Sequence, residues 1–240
     1  MKYFRKAILI VHGFTGSLSD HEILANDLET VSHFDVYSWT LPAHDKHIIN
    51  KVKYTDWIEA VDNQMEFLIN KGYQRIYIVG HSMGGLLSGY AASKYPQIKK
   101  IVFLSAAYDY FSKEQYKEDF QSGEMFRDGD ASYRNLGYKL LKVPFTTMIQ
   151  FRILVKKYKG YIKKVTQEAL VIHGNKDEVV PYSAMNLIKA NISSKKVTYT
   201  TIIDGRHVLL RGRKKEELSN YIKIFLIGGR KWKKMKKSQI

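Results

Sequence analysis

The sequence predicts an α/β fold: a mostly parallel, twisted sheet with helices on both faces and a helical cap inserted late in the chain. Two observations carry this expectation. Short runs of β-formers alternate with segments of helical period along the 240 residues, a pattern that places crossover helices over a parallel sheet. In addition, His12 and Gly13, His44 and Asp45, Ser82, Asp177 and His207 each follow a predicted strand. They should therefore converge on the carboxyl edge of the sheet, where ligands bind in such folds.

Taken in order, Lys6 to Val11 reads as a short apolar strand followed by "HGFTGS". Ser19 and Glu22 form a capping-box pattern ahead of a helix carrying Ile23, Leu24, Leu28 and Val31. Phe34 to Trp39 alternates as a strand and enters the loop "TLPAHD". Tyr54, Trp57, Ile58, Val61, Met65 and Leu68 recur at helical period and predict a long amphipathic helix. Arg75 to Val79 is the next strand, with a helix after Ser82 and another strand at Ile101 to Leu104. The alternation then stops until "EALVIHG", Glu168 to Gly174. A helix from about Tyr182, the strand "VTYTTII" and a last helix with Leu218, Tyr221, Ile222 and Phe225 complete the pattern. This is read as one domain over 1–240, with a cap insertion at about 107–167 and a basic tail at about 228–240. The length suits a single buried core.

Composition narrows the chemistry. Hydrophobic residues make up 45% and aromatics 13%, which fits a packed globule and excludes a disordered chain. With no cysteine, disulfides, thiolate metal sites and thiol nucleophiles are ruled out. The apolar run Ala7 to Val11 is too short for the core of a signal peptide, and no stretch approaches a membrane span, so a cytoplasmic location is expected. The net charge of +16 favours polyanionic contacts. Much of it lies in the tail from Gly228 and in Ala131 to Gln167, a stretch without Asp or Glu.

"GHSMG", Gly80 to Gly84, has the form G-x-S-x-G between a strand and a helix. Small residues two before and two after let the chain turn sharply, which lifts the serine hydroxyl clear of the sheet. A serine hydroxyl is a poor nucleophile at neutral pH and needs a base with an acid behind it. "VIHGNKDEVVP" offers Asp177 as the acid, with Glu178 the weaker candidate, and "IIDGRHVLL" offers His207 as the base. The order Ser82, Asp177, His207, each in a post-strand loop, is the order expected of such a triad on this kind of sheet. Oxyanion donors are expected from the N–H of Met83, after the nucleophile, and of Phe14, beside Gly13. His12 is read as ordering its loop, and His81 as packing.

"LIVHGFTGS", "VGHSMGG", "ALVIHGNKDEVVP" and "GRHVLL" together resemble the α/β-hydrolase superfamily, in particular small bacterial carboxylesterases and monoacylglycerol-lipase-like esterases. The resemblance spans nearly the whole chain. It implies Ser82, Asp177 and His207 as the triad, Phe14 and Met83 as oxyanion donors, and no cofactor or metal. Two departures stand out. "LPAHD" carries Ala43 where relatives often have a Gly-rich "PGHG", and Arg206 replaces the small residue common before the base.

From Pro144 a cap helix is expected, with Phe151, Leu154, Val155, Tyr158, Ile162 and Val165 on one stripe and lysines between them. That arrangement suits an apolar acyl pocket and a basic face in peripheral contact with anionic membrane. The expected activity is serine hydrolysis of carboxylic esters, small acyl esters or monoacylglycerols. Thioesterase, acyltransferase or C–C bond hydrolase chemistry is an alternative on the same triad. A non-catalytic basic binding protein is the remaining rival, and no specific nucleic-acid motif accompanies the charge.

Overall fold

The computed structural model describes residues 5–44, 52–109 and 143–235. Six strands form one sheet among them: β1 (Lys6–Val11), β2 (Phe34–Ser38), β3 (Ile76–His81), β4 (Ile98–Leu104), β5 (Glu168–Gly174) and β6 (Val197–Ile202). Their spatial order is β2-β1-β3-β4-β5-β6, and every pairing is parallel. The register aligns Val11 with Gly80, His81 with Leu104, Leu104 with Ile172, and Gly174 with Ile202. The carboxyl ends of five strands are thus level, and the loops leaving them meet at one edge.

Both faces of the sheet are covered, which is why its strands read as near-continuous apolar runs. Successive side chains of β1 alternate between two cores: Ala7, Leu9 and Val11 enter one, Ile8 and Ile10 the other. The first core is closed by α2 (Tyr54–Asn70), α3 (Met83–Lys94) and α4 (Phe145–Tyr158), and α5 (Ser183–Asn191) also lies on it. The second is closed by α1 (Glu22–Glu29), α6 (Lys215–Ile227) and α7 (Gly229–Met235). On α2, Trp57, Ile58, Val61, Met65 and Leu68 are the buried residues, the stripe its period predicts. Each such side chain contributes about 1.5–3 kcal/mol by leaving water.

Four local differences from the sequence reading have physical causes. A 3₁₀ turn, Leu18–His21, precedes α1, so Ser19 does not cap that helix. Instead Asp20 accepts the Ser17 N–H at 2.9 Å, and Ser19 accepts a bond from Arg211 at 2.6 Å. Arg211 also pairs with Asp20 at 2.9 Å, tying this turn to the segment after His207. The strand read as Arg75 to Val79 continues to His81, since its partner β4 extends alongside it. The cap stripe is split: α4 ends at Tyr158 and Lys159–Lys164 form a 3₁₀ turn containing Gly160, a weak helix former. Residues 228–240, read as a tail, include α7, whose Trp232 packs on Tyr221 and Phe225.

The cap sequence between 110 and 142 lies outside the described residues, as does Asp45. Within α4 and the turn after it, Leu154, Val155, Ile162 and Val165 are buried, while Arg152, Lys156, Lys157, Lys159, Lys163 and Lys164 are exposed. Among the described residues no helix is long and apolar enough to cross a membrane.

Candidate active site

Ser82 sits between β3 and α3 at φ 54° and ψ −119°, outside the regions open to an ordinary L-residue. Such strain, of order 1–3 kcal/mol, persists only where the surroundings over-determine it. Here they do. The Ser82 N–H donates to Leu104 O at 2.9 Å, and Ser82 O accepts from Gly85 and Ala107 at 2.9 and 3.0 Å. Neighbouring chain passes so close at Gly84 that a Cβ there would run into the Val11 carbonyl. Met83 opens α3, so its N–H has no acceptor within the helix.

The loop after β1 lies against this turn. A Cβ on Gly13 would come within 2.9 Å of the Ser82 Cβ, which leaves glycine as the fit and sets the Gly13 backbone, with Phe14 next in the chain, against the serine. His12 orders the loop: its Nδ1–H donates to Gly13 O at 2.9 Å, and its Nε2 accepts the Leu41 N–H at 2.9 Å. Both nitrogens are committed in the neutral form, and burial pushes its pKa down. His44 supports the loop from the other side, accepting the Thr15 N–H at 3.2 Å and lying edge-on to Phe14. Ala43, before it, takes φ 63°, the left-handed conformation that explains a glycine preference in that loop. Phe14 itself stacks on Phe151 of α4, with ring centroids 4.9 Å apart and planes 13° from parallel.

Asp177 and His207 meet across the loops after β5 and β6. His207 Nδ1 lies 2.9 Å from both Asp177 carboxylate oxygens. Asp177 Oδ1 also accepts the Val179 and Val180 N–H groups at 2.9 and 2.8 Å. Burial by itself would raise the Asp177 pKa, but His207, with help from His173 and the Val180 N–H, holds it down to about 2. The same contact raises the His207 pKa against the opposing effect of its burial. An ionised carboxylate on Nδ1–H leaves Nε2 of the ring as the atom able to take a proton.

His207 is held elsewhere too. His81 Nε2–H donates to His207 O at 2.9 Å, and the rings are 4.8 Å apart. Because His81 directly precedes Ser82, this bond ties the two loops together. Burial and the nearby His207 push the His81 pKa down to about 4, so His81 is neutral. On the other side, the His207 N–H donates to Glu178 Oε2 at 3.2 Å.

The fold thus brings Ser82, Met83 and the Gly13–Phe14 backbone together, and separately joins Asp177 to His207 beside His81. The reading from sequence missed the supports: His44 and Phe151 on Phe14, Glu178 on the His207 backbone, and Asp20 with Arg211 below. Signals in sequence existed for His44, which follows a predicted strand, for Phe151, on the cap stripe, and for Glu178, beside Asp177, but not for the contacts they make. Among the described residues no group of three His, Asp or Glu side chains could hold a metal ion. Among the described residues, two cavities adjoin loops of the site. One of about 400 Å³ is lined by Trp39, Leu41, Ala43 and Gln64 among others, and one of about 350 Å³ by Lys176, Arg206 and Arg213 among others.

Comparison with known proteins agrees with this architecture. Residues 6–140 match the profile of a family described as "alpha/beta hydrolase fold". The thermostable monoacylglycerol lipase of Bacillus sp. (strain H-257) is 27% identical over 211 residues, covering 84% of this chain and 82% of the relative. The carboxylesterase of Bacillus subtilis (strain 168) is 22% identical, covering 92% of each. In three dimensions, the Paleococcus ferrophilus monoacylglycerol lipase superposes with a TM-score of 0.73 at 16% identity, over 94% of this chain and 96% of that one. With more than half of its length matched by the family profile, this chain belongs to the α/β-hydrolase fold family.

Proposed function

We propose that the protein is a serine hydrolase of the esterase and lipase type, cleaving small acyl esters or monoacylglycerols through an acyl-enzyme on Ser82. The observation that carries this reading is the Asp177 carboxylate closed on His207 Nδ1. It fixes the tautomer in which Nε2 is the base, and it is aligned to stabilise the imidazolium once a proton arrives. In the first half-reaction Ser82 Oγ attacks the ester carbonyl while His207 Nε2 takes the hydroxyl proton. The N–H groups of Phe14 and Met83 receive the developing oxyanion. His207 then gives its proton to the leaving alcohol, leaving the acyl group on Ser82. Water repeats the sequence and releases the acid. The similarity to a monoacylglycerol lipase and a carboxylesterase supports an ester as the substrate.

The basic cap bears on where the substrate is met. Arg152, Lys156, Lys157, Lys163 and Lys164 are exposed along α4 and the following turn, and each cation near an anionic surface is worth about 1 kcal/mol. Peripheral contact with anionic membrane, by a protein resident in the cytoplasm, is part of the reading. Equal sedimentation with anionic and neutral vesicles at low salt removes the membrane contact.

The main test is an ester panel of varied chain length together with fluorophosphonate labelling. Ser82→Ala and His207→Ala should each lower kcat by several orders of magnitude, and Ser82→Ala should abolish labelling. Near-normal turnover by Ser82→Ala refutes the assignment.

A further inference from the structure

Glu178 is a buried carboxyl for which the mechanism above has no use. It is 8% exposed and sits directly after Asp177. Its Oε2 accepts the backbone N–H of His207 at 3.2 Å, while Asp177 holds the ring of the same residue. Two carboxylates of one loop therefore face one histidine, one through the imidazole and one through the main chain. A buried carboxyl must be paired or give up its charge, and an imidazolium at His207 is a cation whose charge acts directly on Glu178, drawing its pKa down. Among the described residues, the other titratable or charged groups around the pair include Asp177 and His173 from the β5 side, His81 from β3, Arg206 next to His207 in the chain, and Asp20, which is occupied by Arg211. His81 and His173 are pushed towards neutrality by burial, so neither balances a charge on Glu178.

We propose that Glu178 is a positioning residue that clamps the His207 backbone and exchanges its proton in step with His207. Resting on the triad reading, this deepens it: the base is governed by two acids with different duties. Asp177 is held ionised near the acid extreme. Glu178 is raised to about 7, first by burial and then by the charge of Asp177, while His207 is raised against the opposing effect of its burial by Asp177 and by Glu178 itself, so the charge of each bears on the proton of the other. When Glu178 is ionised it favours the imidazolium that forms during acyl transfer. When it is protonated its carboxyl oxygen still accepts the His207 N–H, so the clamp survives but the charge is gone. The acid limb of the rate profile then belongs to the Glu178–His207 pair rather than to either group.

Glu178→Gln tests this, because the amide oxygen keeps the bond to the His207 N–H and removes only the charge. Loss of the charge should lower the His207 pKa, moving the acid limb of kcat/KM about 0.5–1 pH unit to lower pH. It should also reduce the alkaline plateau about three- to tenfold, as the imidazolium loses support. A residue that merely packs would change Tm and leave the limb in place. NMR titration of the wild-type His207 ring gives an independent readout, expected to show two coupled steps that become one in Glu178→Gln. An unshifted limb, or a single-step wild-type titration, overturns the proposal; the NMR result decides it if the variant does not fold. Activity persisting in Ser82→Ala would instead signal failure of the triad reading.

Discussion

Asp177→Asn is the perturbation whose outcome the geometry specifies most closely. Asp177 Oδ1 accepts the Val179 and Val180 N–H groups, and Oδ2 faces His207 Nδ1 at 2.9 Å. An asparagine must keep its oxygen on the two backbone donors, because the opposite orientation buries two N–H groups against an NH₂. Its amide nitrogen then occupies the Oδ2 position and confronts His207 Nδ1 with a donor. Oδ1, also 2.9 Å from Nδ1, is already shared between the two backbone donors, so the imidazole meets the new donor best by moving its proton to Nε2, the atom that should accept the proton of Ser82. A base in the wrong tautomer is worth roughly a 10⁴-fold loss in kcat, or about 5 kcal/mol of transition-state stabilisation. Saturation kinetics on an activated ester measure the loss, with circular dichroism and Tm to show an intact fold. Retention of more than about one tenth of wild-type kcat, with Ser82→Ala inactive, refutes the reasoning. A larger loss from Glu178→Gln than from Asp177→Asn would reassign the acid.

Asp177 also sets a pH dependence of stability. Its pKa falls from 3.8 to about 2 on folding, so its contribution is fully present above pH 4 and disappears as pH falls through about 2. The size is on the order of 2 kcal/mol, and chemical denaturation between pH 5 and 2 should be flatter in Asp177→Asn than in wild type. Gly13→Ala puts a methyl group 2.9 Å from the Ser82 Cβ; displacing the Phe14 N–H should lower kcat about 10²- to 10³-fold, and unchanged kcat would clear Phe14 of a role. Phe151→Ala removes the stacked partner of Phe14. It should reduce kcat on small and long esters alike and, Phe151 being half-buried, cost about 1–2 kcal/mol of stability, read by ester kinetics and urea denaturation.

How much of this was visible in the sequence depended on distance along the chain. The parallel sheet was legible because β1 and β3–β5, buried on both faces, each contain an uninterrupted apolar run, and α2 carries its core stripe at one period. The loop positions of Ser82, Asp177 and His207 followed from that alternation, since each comes after a strand. What stayed hidden depends on pairings between distant loops. Nothing near Ser19 shows that Arg211, 192 residues away, will take its hydroxyl, and so the capping-box pattern misplaced the helix start. Likewise "AHD" gives no sign that His44 will prop Phe14. Glu178 lay beside the expected acid, but only the fold turns its carboxylate to the main chain of the base.

The Phe14–Phe151 stack has a consequence for exchanging parts between relatives. Phe14 belongs to a loop tied by His12 and His44 to the loop after β2, whereas Phe151 belongs to α4, within the span read from sequence as a cap insertion. A graft that replaces the insertion to obtain a new substrate range therefore also replaces one side of the support under the Phe14 N–H. Chimeras that carry an aromatic residue at position 151, or replace residues 14 and 151 together, should keep turnover while changing chain-length preference. Those that exchange the insertion alone should lose rate on every ester, and the loss would be misread as a poor pocket. Modularity in this scaffold thus has its boundary inside the aromatic pair and not at the ends of the inserted segment.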